Sequence, residues 1–241
     1  YIYDHYTVPY NVEVVYRWNQ GDVSSDDMRK NLVPPRESQV EPFLEMIEKV
    51  WMDTYTAEVG QQTLRSYIPK QLLLVGSASY NDDGSTTEGT AEGGRQIVLY
   101  SVNDFNFELE QIQSYAHVMH HEFAHILHQN VEYDAEFEKI TPSYSSSWMQ
   151  MNDETARSKG FITAYASSSA DEDFAEMVSI MLTNSPEDWD NMIENAGNAA
   201  AVEALRKKEA IVVAYMKNNW GVNMKDFQKE VVAAIEAAVR N

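Results

Sequence analysis

Residues 106–129 form a long segment with helical spacing of apolar residues and with neither glycine nor proline. Such a segment predicts one unbroken α-helix, because glycine and proline are the residues that most often end a helix. Its later half reads HVMHHEFAHILHQ and holds five of the six histidines of the chain. In a fold that contains this helix, these imidazoles must either bind a partner or be buried by other parts of the chain.

The segment contains the pattern HExxH as His121-Glu122-Phe123-Ala124-His125. Positions i and i+4 of an α-helix lie on one face about 6 Å apart along the axis, so the two imidazoles can converge on one zinc ion. Glu122 lies about 100° around the helix and can reach a zinc-bound water without displacing it. The pattern therefore predicts a zinc site with Glu122 as the general base.

The other histidines of the segment have a different expected role. His128 lies a rise of about 10.5 Å beyond His121, so one ion on a straight helix cannot bind both. Proteases that take a third histidine further along have the pattern HExxHxxGxxH, whereas here His128 stands at the glycine position and Val131 at the last position. We expect structural, cleft-lining or solvated roles for His117, His120 and His128.

A further ligand must then come from another element, and a carboxylate on a second helix is the expected type. The segment DEDFAEM offers four candidates, Asp171, Glu172, Asp173 and Glu176. Charged groups among apolar neighbours are costly unless a positive charge compensates them, which a zinc ion would do. The pattern alone leaves open whether a glutamate or an aspartate, Asp171 or Asp173, is the ligand.

Composition narrows the chemistry further. The chain of 241 residues has no cysteine and a formal net charge of −20. Without thiols, any metal must bind through nitrogen and oxygen. The negative charge would repel a polyanion, so we expect no nucleic-acid partner. No segment reaches the roughly 18 consecutive apolar residues of a membrane span, so no transmembrane helix is expected.

Hydrophobic patterns around the histidine segment predict strands before it and helices after it. The predicted strands are 11–19, 70–78 and 95–102, the last as an edge strand beside the cleft. Residues 38–59 predict a helix with a capping box of Ser38 and Glu41. Further helices are predicted at 171–184, 185–196, 199–218 and 223–240.

A polar, glycine-rich loop joins the last two strands and carries Asp82, Asp83 and Glu88. A calcium site is an alternative for these carboxylates, but the ligand spacing of an EF-hand is missing. We therefore expect a mobile hairpin tip.

Two sets of motifs resemble known families. HEFAH followed by Glu172 in the form E-x-F-A-E, with Tyr165 upstream, resembles the glutamate zincins of the anthrax toxin lethal factor type. The stretches HHEFAHILHQ, ITPSYSSSW and ADEDFAEMVSIM resemble the zinc-binding metallopeptidases known as substrate import-associated zinc metallohydrolase lipoproteins. The resemblance covers about residues 10–195 and is weak in the C-terminal helices.

The resemblance implies a role for each matching residue. It assigns zinc binding to His121, His125 and Glu172, and activation of the water to Glu122. Glu176 matches the acid that orients a ligating histidine, and Tyr165 matches a phenol that hydrogen-bonds the developing oxyanion. For Tyr165 a core tyrosine in an apolar loop is the alternative.

The expected fold is α+β and zincin-like, with a small twisted mixed sheet packed on the HExxH helix and a mainly helical C-terminal half. We expect residues 1–241 to form a single domain, with the sheet and active-site helix in 1–129 and the third ligand in 130–241.

The expected function is a zinc metallopeptidase of the gluzincin type that hydrolyses peptide bonds in proteins or glycoproteins. An endopeptidase is favoured, because the sequence has no visible aminopeptidase recognition motif. The alternative is a vestigial zinc-binding accessory protein of an outer-membrane nutrient or glycan import system. The resemblance also implies a lipid-anchored location at the bacterial outer membrane, with import proteins as partners.

Overall fold

A computed structural model describes residues 1–19, 30–80, 86–87, 89–92 and 95–240. The chain forms two compact units, one of residues 1–123 with 234–241 and one of residues 124–233. The prediction of a single domain stays a prediction. Asp82, Asp83 and Glu88, the residues of the calcium alternative and of the predicted hairpin tip, lie outside the described residues.

A small mixed sheet lies in the first unit. Its strands in spatial order are β1 (Glu13–Val15), β2 (Gln71–Leu74), β6 (Gln96–Leu99) and β5 (Gly89–Glu92), and β3 (Ser79–Tyr80) pairs separately with β4 (Thr86–Thr87). The first three strands of the sheet are parallel, and β5 is antiparallel to β6. Leu72 and Leu73 point to opposite faces and are both buried, so both faces are covered. A helical chain with a small sheet is consistent with the predicted zincin-like fold.

The predicted edge strand at 95–102 is wrong, because β6 has a neighbour on each side. Among the described strands, the one at the edge beyond β6 is β5, which comes from the glycine-rich segment that was predicted to be a loop. Gly89 in β5 is required by a close approach, since a Cβ there would lie 2.4 Å from Val118 Cγ1. The glycine that suggested a turn is therefore explained by packing against a helix side chain.

Five α-helices and three shorter turns belong to the first unit among the described residues. They are a π-helical turn (Tyr3–Thr7), α1 (Val8–Tyr10), α2 (Glu37–Ile47), a second π-helical turn (Glu48–Met52), α3 (Asp53–Val59), α4 (Gln61–Tyr67), a 3₁₀ turn (Val102–Asp104) and α5 (Leu109–Asn130), which continues into the second unit. The predicted helix 38–59 is interrupted by the second π-helical turn. Helices α1 and α4 were not predicted from the sequence.

The predicted capping box of Ser38 and Glu41 is wrong. Helix α2 begins earlier, at Glu37, and its N-cap Arg36 makes no side-chain capping bond. The backbone N–H of Arg36 instead donates to Asn103 Oδ1 over 2.7 Å. A tertiary contact thus occupies the backbone donor of the N-cap residue.

The long helix predicted at 106–129 is confirmed as α5. Its first half is held in the first unit, where the Tyr115 hydroxyl donates to the carbonyl oxygen of Tyr100 over 2.7 Å. The Phe123 ring lies against Trp51 and Tyr55, with centroid distances of 5.6 Å and 4.7 Å. These contacts fix the rotation of the helix just before and within the HEFAH segment. Packing of the sheet on that segment itself stays a prediction.

The second unit is helical. It contains α6 (Glu136–Ile140), a 3₁₀ turn (Trp148–Gln150), α7 (Asp153–Arg157), a 3₁₀ turn (Tyr165–Ser167), α8 (Ala170–Thr183), α9 (Pro186–Glu194), α10 (Ala199–Trp220) and most of α11 (Met224–Ala238). The four predicted C-terminal helices are confirmed. Ser185 caps α9 by accepting from the backbone N–H of Asp188, and Gly221 ends α10 with a φ of 74°.

In the described part of the chain, no helix combines the length and the apolarity that crossing a membrane requires.

Candidate metal centre

Helix α5 presents the two histidines of HEFAH on one face. Because the helix is continuous from Leu109 to Asn130, the i, i+4 spacing places His121 and His125 one turn apart. His121 is buried, and Glu122 and His125 are half-buried. The motif thus lies where side chains remain accessible to a small ligand while most of their surface is covered.

The second component comes from the first turn of α8. Ser169 is its N-cap, and the Ser169 hydroxyl oxygen accepts from the backbone N–H of Glu172 over 3.2 Å. The Glu172 carboxylate oxygen Oε2 lies 3.2 Å from His125 Nε2. The cap fixes the backbone of the residue whose side chain meets the HEFAH helix.

The aspartates on either side of this glutamate have other partners. Asp171 Oδ1 accepts from the Tyr133 hydroxyl over 2.7 Å. Asp173 is fully buried, and its Oδ2 accepts from Lys208 Nζ over 2.6 Å. The geometry therefore does not support the aspartate alternative for the metal ligand.

Among the described residues, His121, His125 and Glu172 each offer a ligand atom, and these atoms lie within 4.8 Å of one another. Ligand atoms of a tetrahedral zinc ion with bonds of about 2.1 Å lie about 3.4 Å apart. Two imidazole nitrogens and one carboxylate oxygen are a common donor set for zinc that keeps an open position. The residues present therefore fit a zinc ion in both chemistry and spacing.

His128 lies behind one of these histidines. Its Nε2 is 2.9 Å from His125 Nδ1. With zinc bound at His125 Nε2, the ring proton would lie on Nδ1, which would donate to Nε2 of a neutral His128. Burial, followed by the charge of His125, lowers the pKa of His128 and favours that neutral form. This contact was not predicted from the sequence, although the i, i+3 spacing permits it.

Glu176 is buried one turn after Glu172 and accepts from the Thr163 hydroxyl over 2.6 Å. It forms a second group with His117 and His121, again with ligand atoms within 4.8 Å of one another. A carboxylate oxygen of Glu176 thus lies within this distance of a ring nitrogen of His121. Its role as an orienting acid stays a prediction.

His120 contacts the second π-helical turn of the first unit. Its Nε2 donates to the carbonyl oxygen of Val50 over 3.2 Å, and its side chain is buried. Burial lowers the pKa of His120 to about 3, so the ring is neutral at physiological pH. His120 is therefore a structural histidine.

Tyr165 lies in the 3₁₀ turn that precedes α8. It is 37% exposed, and its ring lies 4.9 Å from that of Trp148 in a T-shaped arrangement. The alternative of a core tyrosine is wrong, because a large part of the ring reaches the surface.

A cavity of about 410 Å³ opens in the second unit next to this turn. Its walls include hydroxyl groups, one ammonium and one aromatic ring, from Ser143, Ser145, Ser147, Lys159, Phe161 and Ser167. Ser167 belongs to the same turn as Tyr165, so the cavity adjoins the segment that leads into the first turn of α8.

The comparisons with known proteins identify relatives that are described as zinc-binding. Residues 1–225 match the family described as "Putative zinc-binding metallo-peptidase". The chain belongs to this family of zinc-binding metallopeptidases. A solved structure of a "putative zinc-binding metallo-peptidase" from Bacteroides caccae ATCC 43185 is 32% identical in sequence, with a TM-score of 0.83. The match covers 98% of this chain and 90% of that one. Among curated proteins, none shows significant similarity to the chain.

Family membership makes zinc the metal to consider at the His121, His125 and Glu172 group. The family match ends at residue 225 and so includes both helices that contribute to the group, α5 and α8. The gluzincin subtype and the role of each residue go beyond what the family description says.

Proposed function

We propose that the chain is a zinc-dependent endopeptidase of the gluzincin type, with a metal site like that of anthrax toxin lethal factor. One observation carries the proposal: Glu172 Oε2 lies 3.2 Å from His125 Nε2, and His121 completes a group of zinc-type ligand atoms. A glutamate on a second helix is the third ligand that defines this type.

Zinc, when bound, acts as a Lewis acid that polarises the scissile carbonyl and lowers the pKa of water. Glu122 follows His121 directly on α5 and is half-buried, which suits a carboxylate that takes a proton from the attacking water. The same carboxyl group then gives a proton to the departing amine. Glu176 orients a ligating imidazole, and Tyr165 donates its phenolic hydrogen to the developing oxyanion.

Protein purified without chelators should contain about one zinc per chain and should cleave members of a peptide library at internal bonds. Elemental analysis and mass spectrometry of the digest test the two parts separately. Less than about a tenth of an equivalent of zinc, even after incubation with the ion, would contradict the site. Full zinc content without any cleavage would favour the accessory-protein alternative.

Substitution of Tyr165 by phenylalanine should lower kcat by about 10²–10³-fold with little change in KM, because it removes one donor to the transition state. The partial exposure of Tyr165 leads us to expect an unchanged melting temperature and zinc content. Steady-state kinetics on a peptide from the library would measure the effect.

The matched control is Tyr80→Phe, which removes the hydroxyl of a tyrosine that is more exposed than Tyr165 and lies in β3. Its kinetics should equal those of the wild type. Unchanged turnover in Tyr165→Phe would contradict a catalytic role of Tyr165. The resemblance to the glutamate zincins would then extend only to the metal ligands and Glu122.

We also propose, on the motifs shared with the import-associated lipoproteins alone, that the natural protein is lipid-anchored at the outer membrane and contacts import proteins there. Fractionation of cells that produce the natural protein tests this location. Recovery in the cytoplasmic fraction would contradict it.

A further inference from the structure

Lys208 is a fully buried cation in the second unit. It lies on the buried face of α10, whose other members are Ala201, Leu205, Val212, Tyr215 and Met216. Its Nζ donates to Asp173 Oδ2 over 2.6 Å and to the carbonyl oxygen of Gly160 over 2.7 Å. The same ammonium lies 4.3 Å from the centroid of the Phe161 ring. The ammonium thus has two oxygen acceptors and one aromatic ring as partners.

A buried ion pair is a poor source of stability, because removing both charges from water costs about as much as their attraction returns. Apolar residues of similar size would fill the position of Lys208 at least as well. In some proteins a buried ion pair instead specifies one geometry, because few arrangements pair both charges.

The pair holds the first turn of α8. Asp173 directly follows Glu172, and successive residues of a helix differ by about 100° in direction. Fixing Asp173 against Lys208 therefore fixes the direction of Glu172. The Tyr144 hydroxyl donates to the same Asp173 oxygen over 3.1 Å and adds to this restraint.

Three consecutive carboxylates begin this helix, and rotation by one residue would present Asp171 or Asp173 where Glu172 now lies. In the observed rotation of the helix, Asp173 pairs with Lys208 and Glu172 lies next to His125. Lys208 also holds the carbonyl oxygen of Gly160, where the segment that leads to Tyr165 begins.

We propose that Lys208 is a positioning residue for the metal site, whose ion pair with Asp173 sets the rotation of α8 and directs Glu172 at His125. This inference rests on the proposed function, because it takes His121, His125 and Glu172 as the zinc ligands.

The test replaces both members of the pair, Lys208→Met with Asp173→Asn, so that no unpaired charge stays buried. Zinc affinity is measured by competition with a chromophoric chelator, and folding by thermal unfolding. Loss of a group that orients a metal ligand typically weakens binding about 10- to 100-fold, and we expect a Kd increase in that range. An unchanged Kd in the folded variant would overturn the proposal.

A double-mutant cycle separates positioning from a general loss of structure. The pair substitution should weaken zinc binding in the wild-type background but cause no further loss in a Glu172→Ala background, because its effect passes through Glu172. An equal loss in both backgrounds would overturn the proposal. Should the pair variant not fold, Tyr144→Phe enters the same cycle, with an expected increase in Kd of about threefold that disappears in the Glu172→Ala background.

The matched control is Arg206→Gln on the same helix. Arg206 forms ion pairs of 2.8 Å with Asp190, Glu194 and Glu209, none of which belongs to α8. This variant should lower the melting temperature without changing the Kd for zinc.

The outcomes also distinguish the two proposals. A wild-type protein that binds no zinc contradicts the proposed function and, with it, this inference. A wild-type protein that binds and uses zinc, together with a pair variant of equal affinity, contradicts the positioning role alone.

Discussion

Substitution of Glu122 by glutamine should abolish peptide hydrolysis while zinc remains bound. The amide keeps the shape of the side chain but cannot accept a proton from the attacking water, and general base catalysis typically contributes about 10²–10⁴-fold in rate. Because Glu122 is not among the candidate ligands with His125 and Glu172, the zinc content should stay at the wild-type level. Turnover of a cleaved library peptide and elemental analysis of the same sample measure the two quantities.

The control for this experiment is Glu110→Gln, which removes an exposed carboxylate from the first turn of the same helix. Its activity should match that of the wild type. If Glu122→Gln keeps more than about a tenth of wild-type turnover, another group supplies the base.

Removal of the Glu172 carboxylate should have the second large effect, this time on the metal. Zinc held by four ligands binds with apparent free energies of about 10–16 kcal/mol. Shared equally among the four ligands, this free energy corresponds to roughly 100- to 1000-fold in affinity for each ligand. We therefore expect Glu172→Ala to raise the Kd for zinc by that factor. Competition with a chromophoric chelator at constant pH measures it.

Asp171→Ala is the matched comparison, because it removes the preceding carboxylate of the same turn together with its contact to the Tyr133 hydroxyl. Zinc affinity should stay close to wild type in this variant. Loss of zinc in Asp171→Ala with retention in Glu172→Ala would reverse the ligand assignment and restore the aspartate alternative.

The helix of the HEFAH motif could be predicted because the information is local. A long segment without helix breakers specifies α5, and the i, i+4 spacing then fixes His121 relative to His125. The caps that rely on nearby residues were also predictable, as for Ser185 and α9. Each of these features is decided within a few residues of the chain.

Features that depend on tertiary contacts were missed or predicted wrongly. Strand β5 was not predicted, because Gly89 suggests a turn in the sequence. In the fold, the missing side chain of Gly89 leaves space for Val118. The start of α2 depends on Asn103, which is distant in sequence. Local propensity contains no information about such partners.

The proposed third ligand shows the same limit within the site. Sequence patterns offered several carboxylates on α8 and no way to know the rotation of that helix. One signal was available, since Lys208 interrupts an otherwise apolar face of α10 and a buried cation requires a buried acid. Pairing Lys208 with Asp173 would have removed one of the four candidate carboxylates.

The contact between His128 and His125 has a consequence for the electronic character of the centre. A ligating histidine gains basicity when its second nitrogen donates to a carboxylate, and it gains less when the acceptor is a neutral imidazole. His125 has such an imidazole behind it, whereas His121 has the carboxylate of Glu176 within reach. With zinc bound as proposed, the two nitrogen donors would therefore differ in strength. The weaker donor, His125, would leave more positive charge on the ion, which would make the ion a stronger electrophile and let it exchange more readily with the surrounding solution.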